Sequence, residues 1–339
     1  MKLAGVIWIC LLSLAVAEVS ASDARDVMLG VNTHLGQRWQ RLPLTNGILA
    51  KTEFVSLRDE VYWSRVELVR GELRYPAEIG ELQALARTLA VKGGRLVVVL
   101  GYGNKFYDNG RHPRSDSAIA AYANYCRFVA KAFSGYQVVF EIWNEWNSEL
   151  GVPRGGGVGS PSEYVKLLRT VVPAIRSAAA DATIVSTGLA RGVEEMEWLR
   201  RFISLGGASL VDGLGLHLYI FNKPGWTASR LKSWLENISK EASPLGDAVR
   251  QKGVYVTEFG VPLKGDASRE MRSELIDGLE ALAESPVVRG VWVYQLVDDH
   301  PSQYRSSSDD ESNFGMFDFD GNPKAHFGEV NELIGRFRH

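Results

Sequence analysis

Two glutamates at or just beyond the ends of largely apolar runs are the residues whose positions most suggest chemistry. Residues 138–142 lead into Asn144 and Glu145, and residues 254–257 lead into Glu258. Such runs are typical of strands that are buried on both faces in a parallel sheet. In an α/β barrel the C-terminal ends of the strands form the rim that carries catalytic residues. Two carboxyl groups at that rim are what hydrolysis of a glycosidic bond requires.

The elements that must position these residues alternate along the chain. The sequence predicts strands at 29–34, 54–58, 95–100, 138–142, 183–187, 213–218, 254–257 and 291–294, and helices at 76–92, 119–133, 161–180, 194–205, 230–251 and 268–283. Eight strands that alternate with helices predict an α/β fold, namely a single-domain (β/α)8 TIM barrel over residues 22–339. No Gly-x-Gly-x-x-Gly motif follows the first strand, which argues against a dinucleotide-binding fold.

Polar and aromatic residues also gather at the ends of other predicted strands, and this convergence is stronger evidence than any one motif. The residues are Asn32, His34, Arg58, His217, Tyr219 and Trp292. A barrel with purely structural polar residues would not concentrate them on one rim. Alternatives remain for each: Arg58 could pair with a neighbouring acid, His217 and Tyr219 could be satisfied core residues, and Trp292 could serve core packing.

Two sequence segments resemble a known group of enzymes. Trp143-Asn144-Glu145 together with Thr257-Glu258-Phe259-Gly260 resembles the retaining (β/α)8 glycosidases of clan A. Segments 57–67 and 314–324 are similar to glycoside hydrolase family 39, most of all to bacterial members that cut exopolysaccharide. One departure is Trp146, which stands where clan members commonly have proline.

The resemblance implies a role for each site residue. Glu145 is expected to be the acid/base and Glu258 the nucleophile. Tyr219 is expected to hydrogen-bond the nucleophile, His217 to lie near the acid/base, and Trp292 to form the floor of a sugar subsite. We further expect Asn144, His34 and Trp146 to contribute to substrate binding.

The chemistry of retention sets conditions on the two carboxyl groups. They must lie about 5–5.5 Å apart, one protonated and one ionised. An apolar wall such as Trp146 and the charge of Glu258 would help Glu145 to keep its proton near neutral pH. Arg58 is the expected cationic neighbour of Glu258, whereas Glu141 is interpreted as a structural ion-pair partner.

Aromatic residues in the predicted loops suggest a groove for a long substrate. Sugar faces pack on aromatic rings, so Trp39, Trp63, Trp146 and Trp226 predict several sugar subsites, although some of these rings could be core anchors. The glycine-rich segment 154–160 lacks the lysine of a phosphate-binding loop and is interpreted as a lid. The histidines lack metal-site spacing, so no metal and no cofactor is expected.

The N-terminus and the charge bear on location and partners. Residues 1–21 have the pattern of a secretory signal peptide, with an uncleaved membrane anchor as the alternative. We therefore expect a periplasmic or secreted protein, monomeric by default. The formal net charge of −2 gives no electrostatic reason to expect nucleic acid as a partner.

Together these features predict a retaining endo-glycosidase that hydrolyses a polysaccharide, namely a bacterial exopolysaccharide. Two alternatives stay open at this point. An exo-acting glycosidase on small glycosides would have a closed pocket in place of an open groove. A carbohydrate-binding barrel without turnover is disfavoured by the intact pair of glutamates.

Overall fold

The computed structural model describes residues 27–37, 42–221, 223–264, 268–299 and 310–337. The predicted signal segment 1–21 and the predicted groove residue Trp39 lie outside the described residues. No helix within the described ranges is long and apolar enough to cross a membrane.

Eight parallel strands form a nearly closed barrel, which confirms the predicted (β/α)8 fold. They are β1 Met28–Asn32, β2 Ser56–Tyr62, β3 Leu96–Gly101, β4 Val138–Ile142, β5 Thr183–Val185, β6 Leu214–His217, β7 Val254–Phe259 and β8 Val288–Val293. Their order in the sheet is β5-β4-β3-β2-β1-β8-β7-β6. Isolated parallel bridges join Val185 to Gly213 and Leu189 to Leu216, which brings the β5 and β6 edges together.

Helices cover the outside of the barrel. They are α1 Leu42–Leu49, α2 Trp63–Val66, α3 Ala77–Val91, α4 Asp116–Ala132, α5 Pro161–Ala178, α6 Met196–Ser204, α7 Ala228–Lys240, α8 Pro244–Lys252, α9 Arg269–Ala283 and α10 Phe327–Arg336. Helix α5 begins with a capping box between Ser160 and Glu163, in which each side chain satisfies a backbone donor at the helix start.

Two predicted boundaries are wrong in ways that matter for the site. The predicted helix 230–251 is two helices, because Ser243 caps a new helix whose first residue is Pro244, and proline favours the first turn of a helix. Strand β2 continues to Tyr62, past its predicted end at Arg58. Glu60 therefore lies on the strand, two residues after Arg58 and on the same face.

The core explains why the strands are so apolar. Every residue of β3 and β4 is buried, as expected for strands that pack on helices outside and on one another inside the barrel. Cys126 is buried on the inner side of α4, where its thiol takes part in core packing.

Candidate active site

The two predicted catalytic glutamates lie close together at the C-terminal rim. Glu145 comes three residues after the end of β4, and Glu258 is the penultimate residue of β7. One side-chain donor atom from each of Glu145, His217 and Glu258 lies within 4.8 Å of the other two. This closeness is compatible with the spacing of about 5–5.5 Å between carboxyl groups in retaining glycosidases.

Both oxygens of Glu258 are held by neighbouring donors. Arg58 donates from Nη1 to Oε1 at 2.9 Å, and the Tyr219 hydroxyl donates to Oε2 at 2.7 Å. Nδ1 of His217 lies 3.3 Å from the same Oε2. The carboxylate is thereby fixed in position beside a guanidinium, as a nucleophile requires.

Arg58 is the centre of a buried polar network. Its Nε and Nη2 donate to the two oxygens of Glu141 at 2.7 and 3.1 Å, and Nη1 donates to Oδ1 of Asn32 at 2.7 Å. Glu141 also accepts from the backbone N–H of Gly188 at 2.9 Å, so it serves the structural role expected of it. Breaking such a buried pair typically costs about 3–5 kcal/mol.

Asn144 owes its orientation to the same arginine. Nη2 of Arg58 donates to Oδ1 of Asn144 at 2.6 Å, which leaves the amide nitrogen of Asn144 as a donor. Asn144 lines the central cavity. The amide is therefore placed to donate to a bound hydroxyl.

Glu145 is hydrogen-bonded to His217. Nδ1 of His217 lies 2.8 Å from Oε1 of Glu145, and Ser148 donates to Oε2 at 3.3 Å. Burial would raise the pKa of Glu145, but the hydrogen bond and charge of His217 lower it below its usual value. Burial likewise opposes protonation of His217, yet the charges of Glu258 and Glu145 raise its pKa.

The direction of the Glu145 pKa shift is opposite to the expected one. A raised pKa was expected for Glu145 because of an apolar wall and the charge of Glu258. His217 was expected near Glu145, and its hydrogen bond and charge favour the ionised carboxylate, which opposes the effect of burial. The two pKa shifts have opposite directions, and both favour the arrangement in which His217 carries the proton and Glu145 is ionised.

The backbone around Glu145 adopts a conformation that non-glycine residues seldom take. Trp143 and Glu145 have φ values of 67° and 52°, in the left-handed region that costs about 1–2 kcal/mol per residue. The N–H of Glu145 donates to the carbonyl of Gly188 at 3.1 Å, and the N–H of Trp146 donates to Oγ1 of Thr187 at 3.0 Å. These bonds hold the strained segment.

Trp146 does not have its expected place in substrate binding. Its indole is fully buried, packs on His112 and Trp143, and donates from Nε1 to the carbonyl of Ser160 at 3.2 Å. The backbone turns the ring away from the cavity, so Trp146 anchors the end of the glycine-rich segment to the loop that carries Glu145.

Trp292 also requires a correction. It was expected to form the floor of a sugar subsite, but its ring is fully buried inside the barrel. It stacks on Tyr255 with ring centroids 6.3 Å apart and donates to Ser56 Oγ at 2.9 Å. Residues two apart on a strand share a face, so Tyr294 lies on the same face as Trp292 and closer to the rim. Tyr294 therefore lines the cavity in place of Trp292.

The central cavity has a volume of ≈1320 Å³. Of the other predicted residues, His34, Tyr219 and Trp226 line it together with the two glutamates. His217 and Arg58 lie behind this surface and act through their contacts. Trp63 is fully buried and donates to Glu67, so it is a core anchor and does not form a subsite.

Sequence reasoning missed several residues that line the cavity, including Glu60, Tyr62, Tyr294 and Phe314. Glu60 could have been found if β2 had been extended, because it repeats the side-chain direction of Arg58. Phe314 comes from a segment without regular strand or helix signals, so its position follows only from the fold.

Glu145, His217 and Glu258 are also the one group of described residues whose donor atoms are spaced for a metal ion. The guanidinium of Arg58 already supplies positive charge to Glu258, which disfavours a further cation there. The donor set fits proton transfer better than metal binding.

Comparisons with known proteins agree on the fold. No protein-family model and no curated protein sequence matches the chain. The structure is similar to a family 39 glycoside hydrolase from the gut symbiont Bacteroides cellulosilyticus WH2, with a TM-score of 0.69 and 19% identity over 93% of this chain. This chain spans 65% of the length of that protein.

Two further solved structures are similar. One is the GH5_18 protein of Streptomyces cattleya in complex with Manb1-4GlcNAc, with a TM-score of 0.72 and 18% identity over 92% of this chain and 81% of that one. The other is xylanase 10B of Thermotoga petrophila RKU-1 in complex with xylobiose, with a TM-score of 0.63 and 16% identity over 93% and 95% of the two chains. These similarities show that the chain shares the (β/α)8 barrel fold of the three proteins.

Proposed function

We propose that this protein is a retaining glycoside hydrolase that cuts O-glycosidic bonds within a polysaccharide. The observation that carries the proposal is the placement of Glu145 and Glu258 within reach of each other, at the rim of a barrel with the glycosidase fold. Glu258 acts as nucleophile, Glu145 as acid/base, and Asn144 binds the sugar 2-hydroxyl.

In the first step Glu258 attacks the anomeric carbon, the bond to the leaving oxygen breaks, and that oxygen takes a proton from Glu145. The attack removes the charge of Glu258 as the glycosyl ester forms. That charge raises the pKa of His217, so its loss makes the imidazolium more acidic. As Glu145 protonates the leaving oxygen, Nδ1 of His217 therefore passes a proton to Glu145 across the 2.8 Å hydrogen bond. The step ends with His217 neutral and Glu145 ionised.

In the second step Glu145 is ionised and takes a proton from water, whose oxygen attacks the anomeric carbon and releases Glu258. The returning charge of Glu258 raises the pKa of His217 again, and the proton passes from Glu145 to Nδ1 of His217, which restores the starting state. Two displacements at one carbon give a product with the anomeric configuration of the substrate.

The shape of the rim favours cleavage inside a chain. On one side the cavity continues past Lys223, Pro224 and Trp226 into a groove of ≈660 Å³. On the other side it meets, at Gly151, a groove of ≈440 Å³ beside Asn104. Space on both sides of the catalytic pair suits an internal bond of a polymer, whereas an exo-acting enzyme needs one closed side.

The chemical class of the polymer follows from the earlier resemblance. We propose a bacterial exopolysaccharide, because the segments at 57–67 and 314–324 resemble family 39 enzymes of that class. Residues 1–21 are proposed to be a signal peptide, which would direct the protein to the periplasm or the medium where such a substrate occurs.

The proposal is tested by following hydrolysis of a panel of purified bacterial exopolysaccharides. Size-exclusion chromatography of early products should show large fragments, and proton NMR should show initial retention of anomeric configuration. Monosaccharide as first product would favour exo action. An initially inverted product would contradict the retaining mechanism, and binding without turnover would favour a carbohydrate-binding module.

A further inference from the structure

Glu60 and His34 form a polar wall of the cavity, separate from the catalytic pair. Glu60 follows Arg58 by two residues on β2, and His34 follows Asn32 by two residues at the end of β1. A strand rises about 3.3 Å per residue, so Glu60 lies about 7 Å from Arg58 in the direction of the rim. Both residues line the cavity.

The Glu60 carboxylate has accepting capacity that the protein does not use. Its side chain is buried, with 4% of the residue exposed. Oε1 accepts from Nε2 of Gln37 at 3.2 Å and lies 3.5 Å from Nδ1 of His34. Oε2 has no hydrogen-bond donor within the described part of the chain. A carboxylate has about four acceptor positions, so the group can take further donors.

His34 adds a donor beside this acceptor. Burial alone would lower its pKa, but the charges of Glu60, Asp299 and Asp59 raise it to about 9. Burial also opposes ionisation of Glu60, yet His34 and Arg58 lower its pKa. At neutral pH the wall therefore presents a carboxylate next to an imidazolium.

Aromatic rings surround this pair. Tyr62 and Tyr102 line the cavity, with ring centroids 5.4 Å apart. The ring of Tyr294 lies 5.6 Å from that of His34 in an edge-on arrangement. Aromatic faces beside polar groups suit a sugar, which has C–H faces and hydroxyl edges.

We propose that Glu60 and His34 form a recognition subsite for a neutral sugar unit, in which Glu60 accepts from hydroxyl groups and His34 donates to a hydroxyl oxygen. A sugar hydroxyl group both donates and accepts hydrogen bonds, so it can donate to Glu60 and accept from His34. Rotation about the last side-chain bond of Glu60, which has a broad torsional preference, brings either oxygen to the sugar. A uronic acid carboxylate at this place would be repelled by Glu60. The subsite rests on the proposed glycosidase function and specifies its substrate class.

The test measures binding of cellobiose, mannobiose and xylobiose by saturation-transfer NMR in the Glu258→Ala background, where turnover does not consume the probe. At least one disaccharide should bind. Adding Glu60→Gln should raise its Kd about 10- to 100-fold, because hydrogen bonds to charged groups are the stronger kind. A deoxy analogue of that disaccharide, which lacks the recognised hydroxyl, should bind with the same weakened Kd whether or not the Glu60→Gln substitution is present.

Controls separate this subsite from general effects. Glu72→Gln removes an exposed carboxylate paired with Arg74 and should leave the Kd unchanged. His34→Gln provides a second test if Glu60→Gln lowers the thermal stability. Equal Kd values with and without Glu60, or no binding of any probe, would overturn the subsite. Glu60-dependent binding without hydrolysis of any glycoside by the unsubstituted protein would refute the proposed function and leave the subsite standing.

Discussion

Replacing His217 with glutamine should remove the group that binds the proton and leave in place Glu145, the acid that protonates the leaving oxygen. The imidazole is fully buried, and its Nδ1 lies 2.8 Å from Glu145 and 3.3 Å from Glu258. A glutamine amide can donate a hydrogen bond to Glu145, but it does not bind a proton at neutral pH. The variant therefore keeps a polar partner for Glu145 but loses the imidazole that binds the proton.

The size of the effect depends on the leaving group. General acid catalysis contributes about 10²–10⁴-fold, so kcat/KM on unactivated oligosaccharides should fall by up to that factor. Dinitrophenyl glycosides need little protonation and should lose less than about tenfold. The raised pKa of His217 keeps the proton available on the alkaline side. Without His217 the proton is bound by the carboxyl group of Glu145 alone. The alkaline limb of the pH profile of kcat/KM should therefore move to lower pH.

The assay is the pH dependence of kcat/KM on one substrate of each kind. His326→Gln is a matched control, because burial lowers the pKa of His326 to about 4 and it contacts neither catalytic glutamate. That control should leave both profiles unchanged. Equal losses on the two substrates, with an unmoved alkaline limb, would refute the proton-sharing role of His217.

Three other substitutions test the surroundings of the site. Trp146→Ala should lower the free energy of unfolding by about 3–5 kcal/mol, measured in urea, because the indole is fully buried; an unchanged midpoint would contradict its anchoring role. Burial, with the charge of Arg114, lowers the pKa of His112 from 6.5 to about 4, so its contribution to stability is present above pH 6.5 and falls by about 3 kcal/mol as the pH approaches 4. His112→Phe should remove this part of the pH dependence, and an unaltered slope would count against it. Trp226→Ala should reduce kcat/KM on long oligosaccharides by about 2- to 10-fold and leave short ones unaffected; equal losses would argue against a distal subsite.

The sequence was most informative where physical constraints are local. An apolar run followed by a carboxylate predicts a strand end at a barrel rim, and Glu145 and Glu258 were placed by that rule. The predicted start of helix α5 at residue 161 was also correct, because the serine, proline and glutamate of its N-terminal cap are neighbours in sequence.

The sequence was less informative where the outcome depends on backbone direction. Trp292 and Tyr294 share one face near the end of β8, and only the position of each residue relative to the barrel rim decides which ring lines the cavity. The left-handed φ of Glu145 turns Trp146 into the core, and no periodic pattern of hydrophobic residues in the sequence predicts such a conformation. The lowered pKa of Glu145 depends on His217, which is 72 residues away in sequence.

The nucleophilic role of Glu258 is the central claim, and azide rescue of Glu258→Ala tests it most directly. The variant should fold, as judged by circular dichroism, and should lose turnover because no carboxylate can form the glycosyl ester. Azide should then restore product from an activated glycoside, and proton NMR should show a glycosyl azide of anomeric configuration opposite to the substrate. Full activity without azide, or a rescued product that retains the configuration of the substrate, would contradict the account.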